Sequence, residues 1–280
     1  MSSLFAPDYS RDSEGRVLFP RDTELRRHLF PYTDPTEHIA KANMLMVRAL
    51  VEFVSEPGET ILDPFGGTGT LLVALTIGRS VILMEIEEYF QGTIELNIRG
   101  VGKIIPNAED MTTLIPGDCN KILPLPSFCN HMIFSPPYSN LLRKSEAVRN
   151  DKTSVDLGYQ DAALYSAHPD NIGNLSDFIY FQKMERIYKK FYDSLIPGGT
   201  MTIIIKDRWV GRRKDRDGLW SGGKRVALGD RAERDCLRIG FELIERNKWY
   251  AKGGGYAAVN RAMGLETVDE EDLITLRRPL

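Results

Sequence analysis

Two short motifs carry residue types that could do chemistry. Residues 61–70 (Ile-Leu-Asp-Pro-Phe-Gly-Gly-Thr-Gly-Thr) are an apolar run that ends in an acid and a glycine-rich turn. Residues 134–138 (Phe-Ser-Pro-Pro-Tyr) are a second apolar run that ends in a rigid polar and aromatic corner. Open α/β sheets bind ligands where strands end in this way. The two motifs together predict a charged ligand held beside a planar amine.

The glycine turn after Asp63 indicates the kind of ligand. Glycine lets the backbone approach a ligand closely, and the helix expected after the turn presents free N–H groups to a carboxylate or phosphate. A phosphate-binding loop would need a lysine after Gly69, and a dinucleotide-binding turn would need Gly or Ala at Leu72. A ligand with an amino-acid end, a ribose and a purine remains, and S-adenosylmethionine has all three parts.

Acids at later strand ends would complete this donor site. Glu85 follows Asp63 by 22 positions, near the offset at which an acidic side chain accepts from ribose hydroxyls. Asp118 could accept from the adenine amino group. The residues expected to bind the donor are Asp63, Pro64, Phe65, Gly66, Gly67, Gly69, Thr70, Glu85, Asp118 and Cys119.

The corner at residues 135–138 (Ser-Pro-Pro-Tyr) fits an exocyclic amine as the acceptor. The lone pair of such an amine is delocalised into the ring, and the Ser135 hydroxyl and Pro136 carbonyl can both accept hydrogen bonds from it, because the two prolines stiffen the corner. Tyr138 offers a ring for stacking. Direct in-line transfer then needs close contact and alignment. The expected catalytic residues are Ser135, Pro136, Pro137 and Tyr138.

Apolar runs predict the sheet. Buried strands are expected at 60–65, 81–86, 112–115, 132–134 and 201–205, separated by helices or loops, as in a parallel sheet covered on both faces. Apolar spacing predicts helices over 37–55, 176–195 and 231–239, the second ended by residues 197–199 (Pro-Gly-Gly), and edge strands at 241–245 and 272–276. The predicted fold is α/β: a doubly wound, mostly parallel, Rossmann-like sheet with an antiparallel edge.

Composition indicates one domain with insertions. The chain has 280 residues, of which 42% are hydrophobic. Residues 1–34 are expected to form an N-terminal arm and 35–280 the main domain. Segments 139–175 and 207–230 are expected to be insertions without regular structure and are the candidate target-recognition and nucleic-acid-binding segments. With no run of 18 apolar residues and no signal-peptide pattern, we expect a soluble, cytoplasmic protein without membrane contact. Three cysteines without a Cys-x-x-Cys pair predict neither disulfides nor a metal.

A local basic segment offers a nucleic-acid surface although the net charge is −3. Within 207–230, seven basic residues stand against four acidic ones, together with two tryptophans. Phosphate contacts supply most nucleic-acid affinity and aromatic rings stack on bases. The expected contacts are Arg208, Trp209, Arg212, Arg213, Lys214, Trp220, Lys224 and Arg225.

At these two motifs the chain resembles the DNA amino-methyltransferases, in particular the cytosine-N4 group, whose acceptor motif is similar to residues 135–138. The donor motif is similar through residues 63–70, and 37–43 (Glu-His-Ile-Ala-Lys-Ala-Asn) is similar to the family segment that helps enclose the methionine moiety, which implies a role for His38. The resemblance implies a site-specific, S-adenosylmethionine-dependent enzyme of the kind found in restriction-modification systems. Its target base would be flipped out of duplex DNA or offered on a single strand.

Several alternatives stay open at the level of the sequence. Adenine-N6 enzymes more often have Asp or Asn where this chain has Ser135. Guanine-N2 methyltransferases of transfer RNA use similar corners, and glutamine-methylating enzymes of release factors have a corner that typically begins with Asn. A catalytically silent subunit that binds the donor or nucleic acid is a further alternative. The sequence allows an oligomer and does not specify the target site.

Overall fold

The structure is a computed structural model that describes residues 4–34, 41–137, 168, 170–210, 213–214, 220–221, 223–251, 261–262 and 264–280, with the backbone alone at 213–214 and 220–221. The described strands, in chain order, are β1 (Thr60–Asp63), β2 (Ser80–Glu85), β3 (Thr112–Pro116), β4 (Cys129–Phe134), β5 (Leu195–Ile205), β6 (Arg208–Val210), β7 (Arg213–Lys214), β8 (Trp220–Ser221), β9 (Lys224–Val226), β10 (Glu242–Tyr250) and β11 (Glu270–Arg277).

Seven of these strands form the main sheet, in the order β10-β11-β5-β4-β1-β2-β3. Strand β1 pairs in parallel with β2 and β4, β4 with β5, and β2 with β3. Strand β11 runs antiparallel to both β5 and β10. The predicted mostly parallel sheet with an antiparallel edge is therefore confirmed. The strand order reverses between β1 and β4, and such a switch point is where open α/β sheets bind ligands.

Helices cover both faces of the sheet. They are α1 (Thr23–Leu29), α2 (Met44–Val54), α3 (Glu88–Gly102), α4 (Cys119–Ile122), α5 (Asp177–Ser194) and α6 (Leu228–Ile239), with 3₁₀ helices at Thr70–Ile77 and Ile172–Asn174. One buried cluster joins α2, α3 and the first 3₁₀ helix to the sheet. A second cluster joins α5 and α6 to the opposite face. The sheet is thus doubly wound, as its apolar strands predict.

The helices differ from the sequence-based prediction at several places. Helix α2 begins at Met44, because the Asn43 side chain accepts from the N–H groups of Leu45 (2.9 Å) and Met46 (3.1 Å) and so caps the first turn. Residues 35–40 lie outside the described residues. The helix expected after the glycine turn is a 3₁₀ helix.

The end of α5 also corrects the prediction. Residues 197–199 do not terminate the helix, which ends at Ser194 and passes directly into β5. The register between β4 and β5 jumps from Cys129–Leu195 to His131–Thr200, so the Pro-Gly-Gly residues form an irregularity inside the strand. At Gly199 a Cβ atom would lie 2.5 Å from the Asn130 carbonyl oxygen, so only glycine fits this close approach.

The N-terminal segment and the segment after β5 hold further differences. Residues 4–34 are more ordered than an arm, since Phe5 and Val17 are buried in the first core cluster and Val17 bridges to Trp249. Segment 207–230 was wrongly expected to lack regular structure, because it contains the short antiparallel pairs β6–β9 and β7–β8 and the start of α6. Among the described residues, no helix is long and apolar enough to cross a membrane.

Candidate methyl-donor and acceptor site

A single cavity lies at the carboxyl ends of β1, β2 and β4. Both sequence motifs line it. From the donor motif and the later acids it is lined by Asp63, Pro64, Phe65, Gly66, Gly67, Thr70, Glu85, Asp118 and Cys119, and from the acceptor corner by Ser135, Pro136 and Pro137. The fold therefore brings residues more than 70 positions apart in the sequence to one cavity. Adjacent parallel strands end at the same sheet edge, which explains this proximity.

The glycine turn has the backbone that its sequence predicts. Gly67 (φ +52°) and Gly69 (φ +76°) both adopt the left-handed region, which side chains with a Cβ atom rarely enter. The N–H of Gly66 donates to the Met84 carbonyl at 2.8 Å and anchors the turn to β2. Gly69 does not line the cavity. It begins the 3₁₀ helix instead, so its role is conformational.

Two buried acids face each other across the β1–β2 ends. Burial raises the pKa of Asp63 to about 7, although the Phe65 N–H opposes the rise and the charge of Glu85 adds to it. Burial also raises the pKa of Glu85 to about 7, against the effect of N–H groups from Glu87 and Gly67. The Glu85 carboxylate accepts from these N–H groups at 2.8 Å and 2.6 Å. A cation placed in the cavity would favour the ionised form of both acids.

Two other polar atoms of the cavity wall are buried without a hydrogen-bond partner among the described residues. They are Thr68 Oγ1 and Asp118 Oδ2. The other Asp118 oxygen accepts from the Asn120 N–H at 2.9 Å and caps α4. A buried polar group without a partner is costly, so these two atoms are suited to bonding a polar ligand.

Three phenylalanines join the donor turn to the acceptor corner. Phe65 follows the β1 strand end closely, Phe134 immediately precedes Ser135, and Phe191 comes from α5. The ring centroids are 5.6 Å apart for Phe65–Phe134, 5.2 Å for Phe134–Phe191 and 6.1 Å for Phe65–Phe191. Tilted and edge-on rings at these distances attract each other. These three rings, the Phe cluster, fix the position of the two motifs relative to each other.

Sequence reasoning missed part of the cavity wall. Asn171, 5% exposed, donates to Glu87 Oε1 at 2.5 Å, and both residues line the cavity. Lys41, Thr68, Phe90 and Ile172 line it as well. Because Glu87 lies two residues after Glu85, its place in the cavity wall could have been predicted from the sequence. Nothing in the sequence around Asn171 indicated that this residue lines the cavity. His38 and Tyr138, both predicted site residues, lie outside the described residues.

The residues predicted to contact nucleic acid differ in their exposure and in their ion pairs. Arg208 is 9% exposed and its guanidinium pairs with Asp177, so it holds β6 to α5 and is unsuited to a phosphate contact. Arg225 is 43% exposed and bonds Asp207 and Glu270 at 3.0 Å each. Lys224 is exposed and Trp209 half-buried. For Arg212, Arg213, Lys214 and Trp220 the side chains lie outside the described residues.

Comparison with known proteins supports the fold and part of the family resemblance. A family model described as DNA methylase matches residues 12–95, which hold the donor turn and Glu85 but end before the acceptor corner. This match covers less than a third of the chain. No curated protein matches the chain significantly.

One solved structure of low identity shares the architecture, and two others are less similar. A SAM-dependent methyltransferase from Methanosarcina mazei is 11% identical over 82% of this chain and 97% of that one, with a TM-score of 0.52. The glycopeptide N-methyltransferase MtfA in complex with S-adenosylmethionine is 13% identical over 84% and 94%, with a TM-score of 0.48. A protein of Thermus thermophilus, provisionally described as a DNA modification methylase, is 17% identical over 59% and 52%, with a TM-score of 0.36. The fold is that of Rossmann-like, S-adenosylmethionine-dependent methyltransferases.

Proposed function

We propose that the protein is an S-adenosylmethionine-dependent DNA methyltransferase that acts on the exocyclic N4 amine of cytosine. One observation carries the proposal: a single cavity is lined by the glycine turn with its acids and by the Ser-Pro-Pro corner. A donor and an amine acceptor can therefore meet in one cavity. The match of residues 12–95 to the DNA methylase family supports DNA as the substrate.

The described residues fit the donor. S-adenosylmethionine, when bound, supplies an electrophilic methyl group on a positively charged sulfonium. Asp63 and Glu85 provide buried acidic charge for a cationic ligand, and the orphaned oxygen of Asp118 can accept from an adenine amino group. The left-handed turn at Gly67 lets the backbone approach the amino-acid end. Glu87 and Asn171 close the wall next to Glu85.

The acceptor corner activates the amine by hydrogen bonding. Ser135 Oγ and the Pro136 carbonyl accept the two amine hydrogens, which draws the nitrogen lone pair out of conjugation with the ring. Tyr138 stacks on the base. Methylation at a ring carbon would need a cysteine nucleophile. Burial raises the pKa of Cys119 and Cys129, and all three cysteines are buried, so this chain is suited to direct transfer.

Duplex DNA hides the amine, so the base must be flipped out or offered on a single strand. The exposed Lys224 and the β6–β9 pair, with the neighbouring segment that holds Arg212, Arg213, Lys214 and Trp220, would contact the DNA backbone and bases. Arg208 does not contribute to this surface, because it is buried and paired with Asp177. Adenine-N6 transfer remains the second candidate, since the same corner could bind that amine.

One assay tests the proposal. Tritiated methyl transfer is measured in parallel on DNA, transfer RNA and protein, followed by nucleoside analysis of labelled nucleic acid. N4-methylcytosine in DNA is the expected product. N6-methyladenine would change the base but retain the class, whereas label in transfer RNA alone, or in protein alone, would overturn the DNA substrate. Absence of donor binding would overturn the enzyme class.

A further inference from the structure

The N-terminal segment reaches the wall of the donor cavity through one buried arginine. Arg26, on α1, is 3% exposed. Its Nη1 donates to Thr70 Oγ1 at 3.3 Å and its Nη2 donates to the Ala42 carbonyl. Thr70 and Ala42 both line the cavity, but Arg26 does not. One guanidinium therefore joins two separate parts of the cavity wall.

The acid that pairs with Arg26 also holds the start of α2, which follows Ala42 closely in the sequence. Asp22 Oδ2 accepts from Arg26 Nε at 2.7 Å and from the Met44 N–H at 2.8 Å, so it holds the guanidinium and the first turn of α2 together. Asn43 Nδ2 also donates to the Pro20 carbonyl at 2.8 Å. Residues 42, 43 and 44 are thereby each hydrogen-bonded to a residue within 20–26.

A second connection runs to the glycine turn. Thr33 Oγ1 donates to Asn97 Oδ1 at 2.8 Å, and Asn97 Nδ2 donates to the Thr68 carbonyl at 2.8 Å. Asn97 is 1% exposed. The N-terminal segment thus restrains the donor turn at Thr68 through Asn97 and at Thr70 through Arg26.

We propose that Arg26 is a positioning residue for the methyl donor: it fixes Thr70 and the segment at Ala42 so that they form the wall around the donor's amino-acid end. This inference rests on the proposed donor site. Five planar N–H donors let arginine span several acceptors, which a lysine ammonium cannot do with the same geometry. Arg26 acts through these neighbours and does not touch the reacting atoms.

The test compares Arg26→Lys and Arg26→Met with Arg27→Met, a change at the next residue of α1, whose side chain is 59% exposed. Arg26→Lys keeps a cation beside Asp22 and so retains the buried ion pair. We expect about tenfold weaker S-adenosylmethionine binding in the folded Arg26→Lys protein, because a charged hydrogen bond is worth about that much. The KM for the donor should rise while kcat at saturating donor stays within about twofold. Arg27→Met should match wild type.

A measurement on the wild-type protein covers the case in which the variants do not fold. Hydrogen exchange at residues 20–29 should slow when S-adenosylmethionine is added, because the ligand restrains the wall that Arg26 holds. Unchanged donor affinity in folded Arg26→Lys would overturn the inference, and so would unchanged exchange at 20–29 in a wild-type protein that binds the donor. Wild-type protein that does not bind the donor would instead refute the proposed function.

Discussion

The side chains that distinguish this cavity are two buried acids with raised pKa values. Asp63 and Glu85 are 9% and 7% exposed, and burial is the main cause of the rise in both. In an unfolded chain each acid would ionise near its ordinary pKa of about 4. The folded, ligand-free protein therefore retains protons that the unfolded chain releases, and these two acids reduce its stability as pH rises from about 4 to about 7.

A bound cation would stabilise the ionised form of both acids, so the affinity for the donor should depend on pH. Between about pH 5.5 and about 7.5, affinity for S-adenosylmethionine should increase with pH, because binding favours the ionised acids and releases protons at the lower end. Titration calorimetry in buffers of different ionisation enthalpy measures the released protons. Asp63→Asn should reduce both the proton release and the pH slope. An affinity independent of pH over this range would contradict the assignment of both acids to the donor site.

The acceptor corner can be tested at Ser135. Ser135→Ala removes one of the two proposed acceptors for the amine, and we expect kcat to fall about 100-fold while donor affinity stays unchanged. Methyl transfer at saturating donor and a donor titration separate the two effects. Ser127→Ala is the matched control, because Ser127 is exposed and precedes β4 at its opposite end. A Ser135→Ala enzyme with wild-type kcat would remove this hydroxyl from the mechanism.

Among the elements, α5 fixes the position of the donor turn relative to the acceptor corner. Its Phe191 is fully buried and packs on both Phe65 and Phe134, which flank the donor turn and the acceptor corner. The same helix begins at Asp177, which pairs with Arg208 of β6. Helix α5 thus connects the Phe cluster to the β6–β9 pair.

Truncation of a side chain in the Phe cluster should reduce the stability of the fold. Phe191→Ala is expected to lower the free energy of unfolding by about 3–5 kcal/mol, since it leaves a cavity between three packed rings. Urea denaturation followed by circular dichroism measures the change. Phe178→Ala on the same helix is the control: its side chain is 72% exposed, so a change of less than about 0.5 kcal/mol is expected. A Phe191→Ala effect as small as the one expected for Phe178→Ala would show that the cluster does not stabilise the fold.

At the scale of the whole molecule, charge is distributed unevenly. The chain carries a net charge of −3, and the cavity itself is acidic, so the proposed DNA binding requires local basic surfaces. Lys224 lies on β9, which pairs with β6 beyond the carboxyl end of β5, on the cavity side of the sheet. Lys103 follows α3 near the opposite edge.

Charge reversal at these two lysines tests the surface. Lys224→Glu should weaken DNA binding and reduce the slope of log affinity against log salt by about one or more, because each phosphate contact releases about one counterion. Lys103→Glu should leave the slope unchanged. Fluorescence anisotropy over a range of salt concentrations measures both. Equal slopes for the two variants and wild type would exclude the β6–β9 pair as the DNA-binding surface.

The sequence by itself determined the sheet and the order of its motifs. Strands β1, β2 and β4 are mostly apolar and buried, so short windows of the sequence predict them. The glycines after Asp63 have a local conformational requirement, because Gly67 and Gly69 adopt positive φ. The 3₁₀ geometry after Gly69 and the irregularity at Gly199 were not predictable, because packing against neighbouring strands decides them.

Only the tertiary structure decided which distant residues reach the cavity and which basic residues are available to DNA. Arg26 contacts partners 16 and 44 positions away, and the partners of Asn171 and Phe191 are farther still in the sequence. Local patterns hold no information on such pairs. The sequence alone does not distinguish Arg208 from an exposed arginine. The structure shows that Arg208 is buried and paired with Asp177, so it is not available at the surface. Local propensity is encoded in short windows, whereas contacts across the sheet depend on how the whole chain packs.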